Sequence, residues 1–211
     1  MLAARQPAIA FEVTLAAPAV RGDVLANAAL DLLAEQSATP AATAQLVEQE
    51  RTAMRLALGA DWAALEEHLY RAILSQLKTL PEEGQDALGI FDALAKKQAA
   101  IEVRTVYQNP RFAFNLRHDP ATDWAQVRVP VLALYAEFDD TVIASINQPA
   151  LETALAKANN GDVTVSLVAG VNHLFLAAEE ANAQAWATLP QTLAPQVVET
   201  IVDWLVARVH V

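Results

Sequence analysis

The sequence contains no cysteine, few aromatic residues and fewer basic than acidic residues. Without cysteine, the chain forms no disulfide, no thiolate metal site and no cysteine nucleophile. Fourteen Lys and Arg stand against 25 Asp and Glu, for a formal net charge of −11. That balance argues against nucleic acid or an anionic membrane surface as the partner, because phosphate groups attract basic side chains.

Long apolar runs are also missing. No run approaches the ~20 residues of a membrane span, and Met1–Pro7 lack the apolar core of a signal peptide. The 211 residues correspond to one domain or to one domain with a modest insertion, at roughly 150 residues per domain. We therefore expect a soluble, acidic, globular protein of the cytoplasm.

Apolar periodicity divides the chain into three parts. Ile9–Leu15 alternates apolar and other residues, which predicts a strand, and a long helical stretch follows from about Asp23 to about Asn115. The last third predicts a strand, a helix, a second strand and a second helix, over Val129–Tyr135, Ser145–Lys157, Asp162–Ala169 and Thr192–Val209.

A strand–helix–strand–helix order is typical of an open parallel sheet with right-handed crossovers. The expected fold class is therefore α/β, with a three-stranded parallel sheet and a large helical insertion. We expect the first core strand in residues 1–20, the helical region in 21–116 and the α/β core in 117–211.

Start signals mark helices within the insertion. Thr39-Pro40 predicts a hydroxyl N-cap followed by proline in the first turn. Asp61 is expected to cap the next helix, and Pro81-Glu82-Glu83 to open another. In the terminal helix, Val198, Ile201, Leu205 and Val209 are predicted to form one apolar face.

Two polar clusters follow the predicted core strands. Asp139 comes shortly after the strand Val129–Tyr135, and His173 shortly after the strand Asp162–Ala169. Because ligands and catalytic groups gather at the carboxyl ends of parallel strands, an Asp139–His173 pair is expected there, with the carboxylate orienting a general-base imidazole. The alternative is that Asp139 caps the following helix and His173 lies in a loop.

Two segments around these residues resemble a known family. VPVLALYAEFDDTV (Val129–Val142) and DVTVSLVAGVNHLF (Asp162–Phe175) resemble the acid and histidine blocks of α/β-hydrolases, in particular bacterial carboxylesterases of the esterase D and serine-aminopeptidase-like group. Asn109–Ala121 and Thr192–Leu205 also resemble that group. The resemblance implies that Asp139 is the triad acid and His173 the triad base.

The family's nucleophile motif is missing from this sequence. No G-x-S-x-G turn is present, and the resemblance implies a truncated α/β-hydrolase fold of strands six to eight plus the lid. It also implies that Met1 lies a few residues after the usual serine, and that both usual oxyanion donors are absent with it.

Four serines of the chain could in principle replace the missing nucleophile. Ser145 follows the acid loop and is the candidate nucleophile, with helix N-cap as the alternative role. Ser37 and Ser75 fall in the helical region, and Ser166 falls within a strand. With no metal-type histidine spacing and no glycine-rich phosphate loop, we expect no metal and no cofactor.

The first strand also bears on partners. If Ile9–Leu15 is a sheet edge, it invites pairing with another chain, so we expect a homo-oligomer formed through this strand. Glu12 and Thr14 alternate with its apolar residues, which suggests a face adapted to water or to a polar contact.

Three functional hypotheses follow. The chain is an ester-hydrolase relative with an acid–histidine dyad, acting weakly on a small apolar ester-like ligand. Alternatively, it is a non-catalytic binding or interaction remnant. The third possibility is a partial product of a normal serine esterase.

Overall fold

The computed structural model describes residues 3–77, 88–181, 186 and 189–208, with the backbone alone for residues 88–90. The predicted helix start at Pro81-Glu82-Glu83 lies outside the described residues, as do Val209 and His210.

The described residues form three strands, eight α-helices and one π-helical segment. The strands are β1 (Glu12–Leu15), β2 (Val131–Phe138) and β3 (Val163–Asn172). The helices are α1 (Gly22–Gln36), α2 (Pro40–Leu58), α3 (Trp62–Leu77), α4 (Leu88–Glu102), α5 (Pro110–Arg117), α6 (Ala121–Trp124), α7 (Ala144–Lys157) and α8 (Pro195–Val206). The π-helical segment is Val103–Tyr107, between α4 and α5.

The three strands form one parallel sheet in the order β1-β2-β3. This confirms the predicted mixed α/β class with a three-stranded parallel sheet. Strand β1 is shorter than the predicted Ile9–Leu15. Its first residue, Glu12, pairs with Val131 at the start of β2, so residues 9–11 have no partner in that strand.

Two compact units make up the chain. One contains Met1–Leu32 and Asp119–Val211, and the other contains Leu33–His118. The second boundary falls near the predicted 116/117, whereas the first falls at 32/33 instead of 20/21. The beginning of α1 belongs with the sheet because Leu25 packs against the sheet's hydrophobic core.

The core of the sheet unit is built around β2. Residues 131–136 of this strand are all at most 1% exposed, which is the pattern of a parallel strand covered on both faces. Large buried side chains from the surrounding elements complete this core: Trp124, Val127, Leu151, Leu155, Phe175, Val197 and Trp204.

The terminal helix α8 turns a different face to the core than predicted. Val197 and Trp204 are buried, whereas Val198 is 44% exposed. Ile201 and Leu205 are partly buried against the core, as expected. The prediction of a buried Val198 was therefore wrong. Val197 faces the core instead, because it lies seven residues before the buried Trp204 and on the same side of the helix.

The helical unit tests the helix caps predicted at Asp61 and Thr39. Asp61 Oδ1 accepts a hydrogen bond from Ala64 N at 3.2 Å, as a cap should. The hydroxyl cap predicted at Thr39 is wrong: its side chain makes no cap bond, and Ser37 Oγ instead accepts from Thr39 N at 3.0 Å.

Within the described part of the chain, no helix has both the length and the apolar character needed to cross a membrane.

Candidate active site

The site lies where β2 and β3 end. The register of this strand pair shifts between Ala136 and Phe138, after which Phe138 pairs with Asn172. A shift of this kind re-aims the side chains that follow it. Asp139 directly follows Phe138, and His173 directly follows Asn172. The pairing of the two strands therefore places Asp139 and His173 side by side.

Asp139 and His173 are joined by a two-pronged contact. His173 Nδ1 lies 2.9 Å from Asp139 Oδ2 and 3.0 Å from Asp139 Oδ1. The Asp139 side chain is 0% exposed and that of His173 is 25% exposed. The structure therefore brings together the predicted pair, with a buried carboxylate and a partly exposed imidazole.

The carboxylate of Asp139 is fixed by its own loop. Asp139 Oδ1 accepts hydrogen bonds from Thr141 N at 2.8 Å and from Val142 N at 2.7 Å. These bonds close the turn that leads to α7, so the loop role and the pairing role of Asp139 coexist. A carboxylate that accepts two backbone N–H groups is held in one orientation before it meets the imidazole.

The environment of His173 favours its protonated form. The hydrogen bond to Asp139 raises the pKa of His173 above its ordinary value of 6.5, and burial of the ring opposes this in part. The negative charges of Asp139 and Asp140 raise the pKa of His173 further. Because Nδ1 is engaged, Nε2 is the nitrogen left for proton transfer, and it has no hydrogen bond to any described residue.

The loop that carries His173 is braced from the inside. Asn172 is 0% exposed, and its Oδ1 accepts from Leu174 N at 3.0 Å and from Leu176 N at 3.1 Å. Phe175 has a φ of 57°, a conformation that costs energy for a bulky residue. The side chain of Phe175 is 1% exposed, so core packing holds this strained turn in place.

A second brace precedes the loop. Gly170 has a φ of 67°, and its N–H donates to Glu137 Oε2 at 2.8 Å. Ala178 N donates to Gly170 O at 2.9 Å, which closes the loop on its far side. Hydrogen bonds therefore fix the loop that carries His173 at Gly170 and at Ala178.

An aromatic residue covers part of the imidazole. Trp186 stacks on His173 with ring centroids 5.7 Å apart and ring planes 21° from parallel. Trp124 and Trp204 are buried in the core, whereas Trp186 is at the candidate site. No sequence spacing connects Trp186 to His173.

Ser145 does not join this pair. It is an exposed residue in the first turn of α7, and no hydrogen bond connects it to His173. The alternative role of N-cap is also wrong, because the N-cap position is Ile143, which makes no side-chain cap bond. Ile143 is the last residue before the helix, which begins at Ala144, one residue earlier than the predicted Ser145.

The remaining candidates lie elsewhere. Ser166 lies within β3, paired with Leu134, while Ser37 bonds to Thr43 and Ser75 lies in α3. His68 is half-buried, and its Nε2 lies 2.8 Å from the carbonyl oxygen of Gln49. Among the residues that the structure describes, no three acidic or histidine side chains are grouped to hold a metal ion.

Comparisons of the chain with protein-family models, with curated proteins and with solved structures each find no match. The site must therefore be interpreted from its own geometry.

Proposed function

We propose that Asp139 and His173 are the acid and the base of an α/β-hydrolase-type site that acts on carboxylic esters. The observation that carries the proposal is the contact between a fully buried carboxylate and Nδ1 of a quarter-exposed imidazole. Such a carboxylate fixes the tautomer and stabilises the imidazolium that forms during the reaction. The resemblance of the two surrounding segments to hydrolase acid and histidine blocks supports the same assignment.

Ester hydrolysis at this site would use His173 Nε2 for proton transfer. His173 Nε2 removes a proton from the attacking hydroxyl as it adds to the ester carbonyl carbon. Asp139 offsets the charge on the resulting imidazolium. When the bond from the acyl carbon to the alkoxy oxygen breaks, Nε2 returns the proton to the departing alcohol. The ester is thereby split into a carboxylic acid and an alcohol.

Water is the nucleophile that fits the described residues. No serine or threonine hydroxyl among them bonds to His173, and Ser145 is exposed on α7. A site without a built oxyanion hole loses roughly 10²–10³ in rate, so we expect weak ester hydrolysis from this chain alone. A serine supplied by a further segment of a larger hydrolase would raise the rate through the same base.

A non-catalytic role is the second candidate, favoured by the same lack of a partnered hydroxyl beside His173. In that case the chain binds a small apolar ester-like ligand, or a protein, without turning it over. Assembly of two copies through the edge strand β1, and a cytoplasmic location, stay predictions. Leu15, the last residue of β1, is 38% exposed and offers a second copy an apolar side chain to cover.

Hydrolysis of short p-nitrophenyl esters tests the proposal directly. The pure chain is compared with His173→Ala and Asp139→Asn across a range of pH. We expect His173→Ala to lose the protein-dependent rate, and Asp139→Asn to lose most of it, because the imidazole then loses its orienting charge. Equal rates in the wild type and His173→Ala would refute the assignment of His173 as base.

Matched controls exclude the reactivity that any imidazole shows towards activated esters. His118 is a half-buried histidine stacked on Phe114, with ring centroids 4.7 Å apart, so His118→Ala should keep the wild-type rate. Ser145→Ala should also keep it if water is the nucleophile. Binding of a non-hydrolysable ester analogue without turnover would favour the second candidate.

A further inference from the structure

Trp186 is the aromatic residue beside the candidate base, and its position has a specific geometry. Its ring and that of His173 are nearly parallel, at 21°, with centroids 5.7 Å apart. Offset stacking at this separation is a favourable arrangement of aromatic rings. An imidazole that gains a proton becomes a cation over the face of an indole, the strongest of the aromatic partners for a cation.

The backbone around Trp186 is tied to the residues that follow it. Gln191 Nε2 donates to the carbonyl oxygens of both Trp186 and Leu189, each at 2.8 Å. Leu189 N also donates to Trp186 O at 3.3 Å. These bonds tie the backbone carbonyl of Trp186 to Leu189 and Gln191.

The polar atom of the indole, Nε1, is shielded from solvent and makes no hydrogen bond to the described residues. The ring contact with His173 is therefore the specific interaction that the structure shows for this side chain.

We propose that Trp186 is a positioning residue, whose indole stacks on one face of the His173 ring and keeps Nδ1 on Asp139 and Nε2 free for proton transfer. This inference rests on the proposed function. Asp139 fixes one atom of the imidazole, but rotation about that hydrogen bond would still change the plane of the ring. A stacked indole restricts that rotation, and it favours the imidazolium that forms as Nε2 accepts a proton.

The first test needs no substitution. A protonated histidine quenches the fluorescence of a tryptophan that it touches, so the emission of the wild-type chain should fall as His173 gains its proton. The pH midpoint should coincide with the His173 titration measured by NMR. The step should vanish in His173→Gln and in Trp186→Phe. A fluorescence step that persists in His173→Gln overturns the proposal.

The second test compares Trp186→Leu with the conservative Trp186→Phe. We expect the pKa of His173 to fall in Trp186→Leu, and to stay close to wild type in Trp186→Phe, because a phenyl ring can still stack. Asp139 and Asp140, the charged groups that act on this ring among the described residues, are unchanged in both variants. An unaltered His173 titration in Trp186→Leu would overturn the proposal, as would a Trp186→Phe variant that behaves like Trp186→Leu.

Ester hydrolysis supplies an independent readout. If His173 is the base, Trp186→Leu should lower kcat roughly twofold to fivefold, the size of one exposed cation–π contact, and shift the pH profile with the His173 pKa. A chain that shows the NMR and fluorescence effects but no His173-dependent hydrolysis refutes the proposed function and retains the stacking role. Normal hydrolysis with an unaltered titration in Trp186→Leu does the reverse.

Discussion

Asp139 Oδ2 lies 2.9 Å from His173 Nδ1, although the two residues are 34 positions apart in the chain. The separation is spanned by α7 and β3, a crossover that returns the chain parallel to β2. Parallel pairing then places the two strand ends side by side. The contact is a direct consequence of the sheet's topology.

The Asp139–His173 pair should make stability depend on pH. The pKa of His173 is raised in the folded state, so its contribution is fully present below the unfolded value and is lost as pH rises through the folded pKa. We expect Asp139→Asn to lower the free energy of unfolding more at about pH 5 than at about pH 9. Urea denaturation of both proteins at the two pH values measures this. A difference that stays constant with pH would contradict it.

Asn147 is predicted to be a structural residue of the sheet unit. It is 0% exposed, accepts from Ala19 N at 2.8 Å and donates to Ile143 O at 2.9 Å. Asn147→Ala leaves the buried N–H of Ala19 unpaired and should lower the free energy of unfolding by about 1–3 kcal/mol. The exposed Asn115 in α5 is the matched control, and Asn115→Ala should change stability by less than about 0.5 kcal/mol. Equal losses in both variants would refute the role of Asn147.

Gly170 should be required for its backbone conformation. Its φ is 67°, and a Cβ added there would meet nothing within 4 Å, so the cost of Gly170→Ala is conformational. We expect a loss of roughly 1–2 kcal/mol in the free energy of unfolding. Gly161 also has open space around it but no positive φ, so Gly161→Ala should be close to neutral. Thermal or urea unfolding distinguishes the two, and a neutral Gly170→Ala would contradict the expectation.

Removal of the Thr14 hydroxyl should stabilise the protein. Its Oγ1 is buried with no partner among the described residues, which is costly for a polar group. Thr14→Val keeps the shape and should raise the free energy of unfolding by roughly 1 kcal/mol. In Thr153, which is exposed, the hydroxyl donates to Pro149 O at 2.7 Å, so Thr153→Val should not be stabilising. A loss of stability in Thr14→Val would show that the hydroxyl has a partner.

The side chains of β1 are covered unevenly. Glu12 and Thr14 suggest a face adapted to water or to a polar contact. Both are only partly exposed, and burial raises the pKa of Glu12 above its ordinary value. Leu15, expected on the apolar side, is 38% exposed. Alternation along one strand does not show which side of a sheet its neighbours cover, because that depends on where the helices pack.

The sequence by itself determined the α/β class, the parallel sheet and the meeting of Asp139 with His173. A continuous apolar run such as β2 suits a strand covered on both faces, and parallel strands put their carboxyl ends at one edge. These features depend on local sequence patterns and on one rule of sheet topology, so the sequence alone is enough to predict them.

Only the tertiary structure decided the remaining features of the site. Ser145 lies in the first turn of α7 and makes no hydrogen bond to His173, and the start of that helix at Ala144 is a boundary that propensity does not define to one residue. Trp186 stacks on His173, a placement that has no periodic signal in the sequence. The sequence could pair Asp139 with His173, but the surroundings of the imidazole depend on tertiary packing.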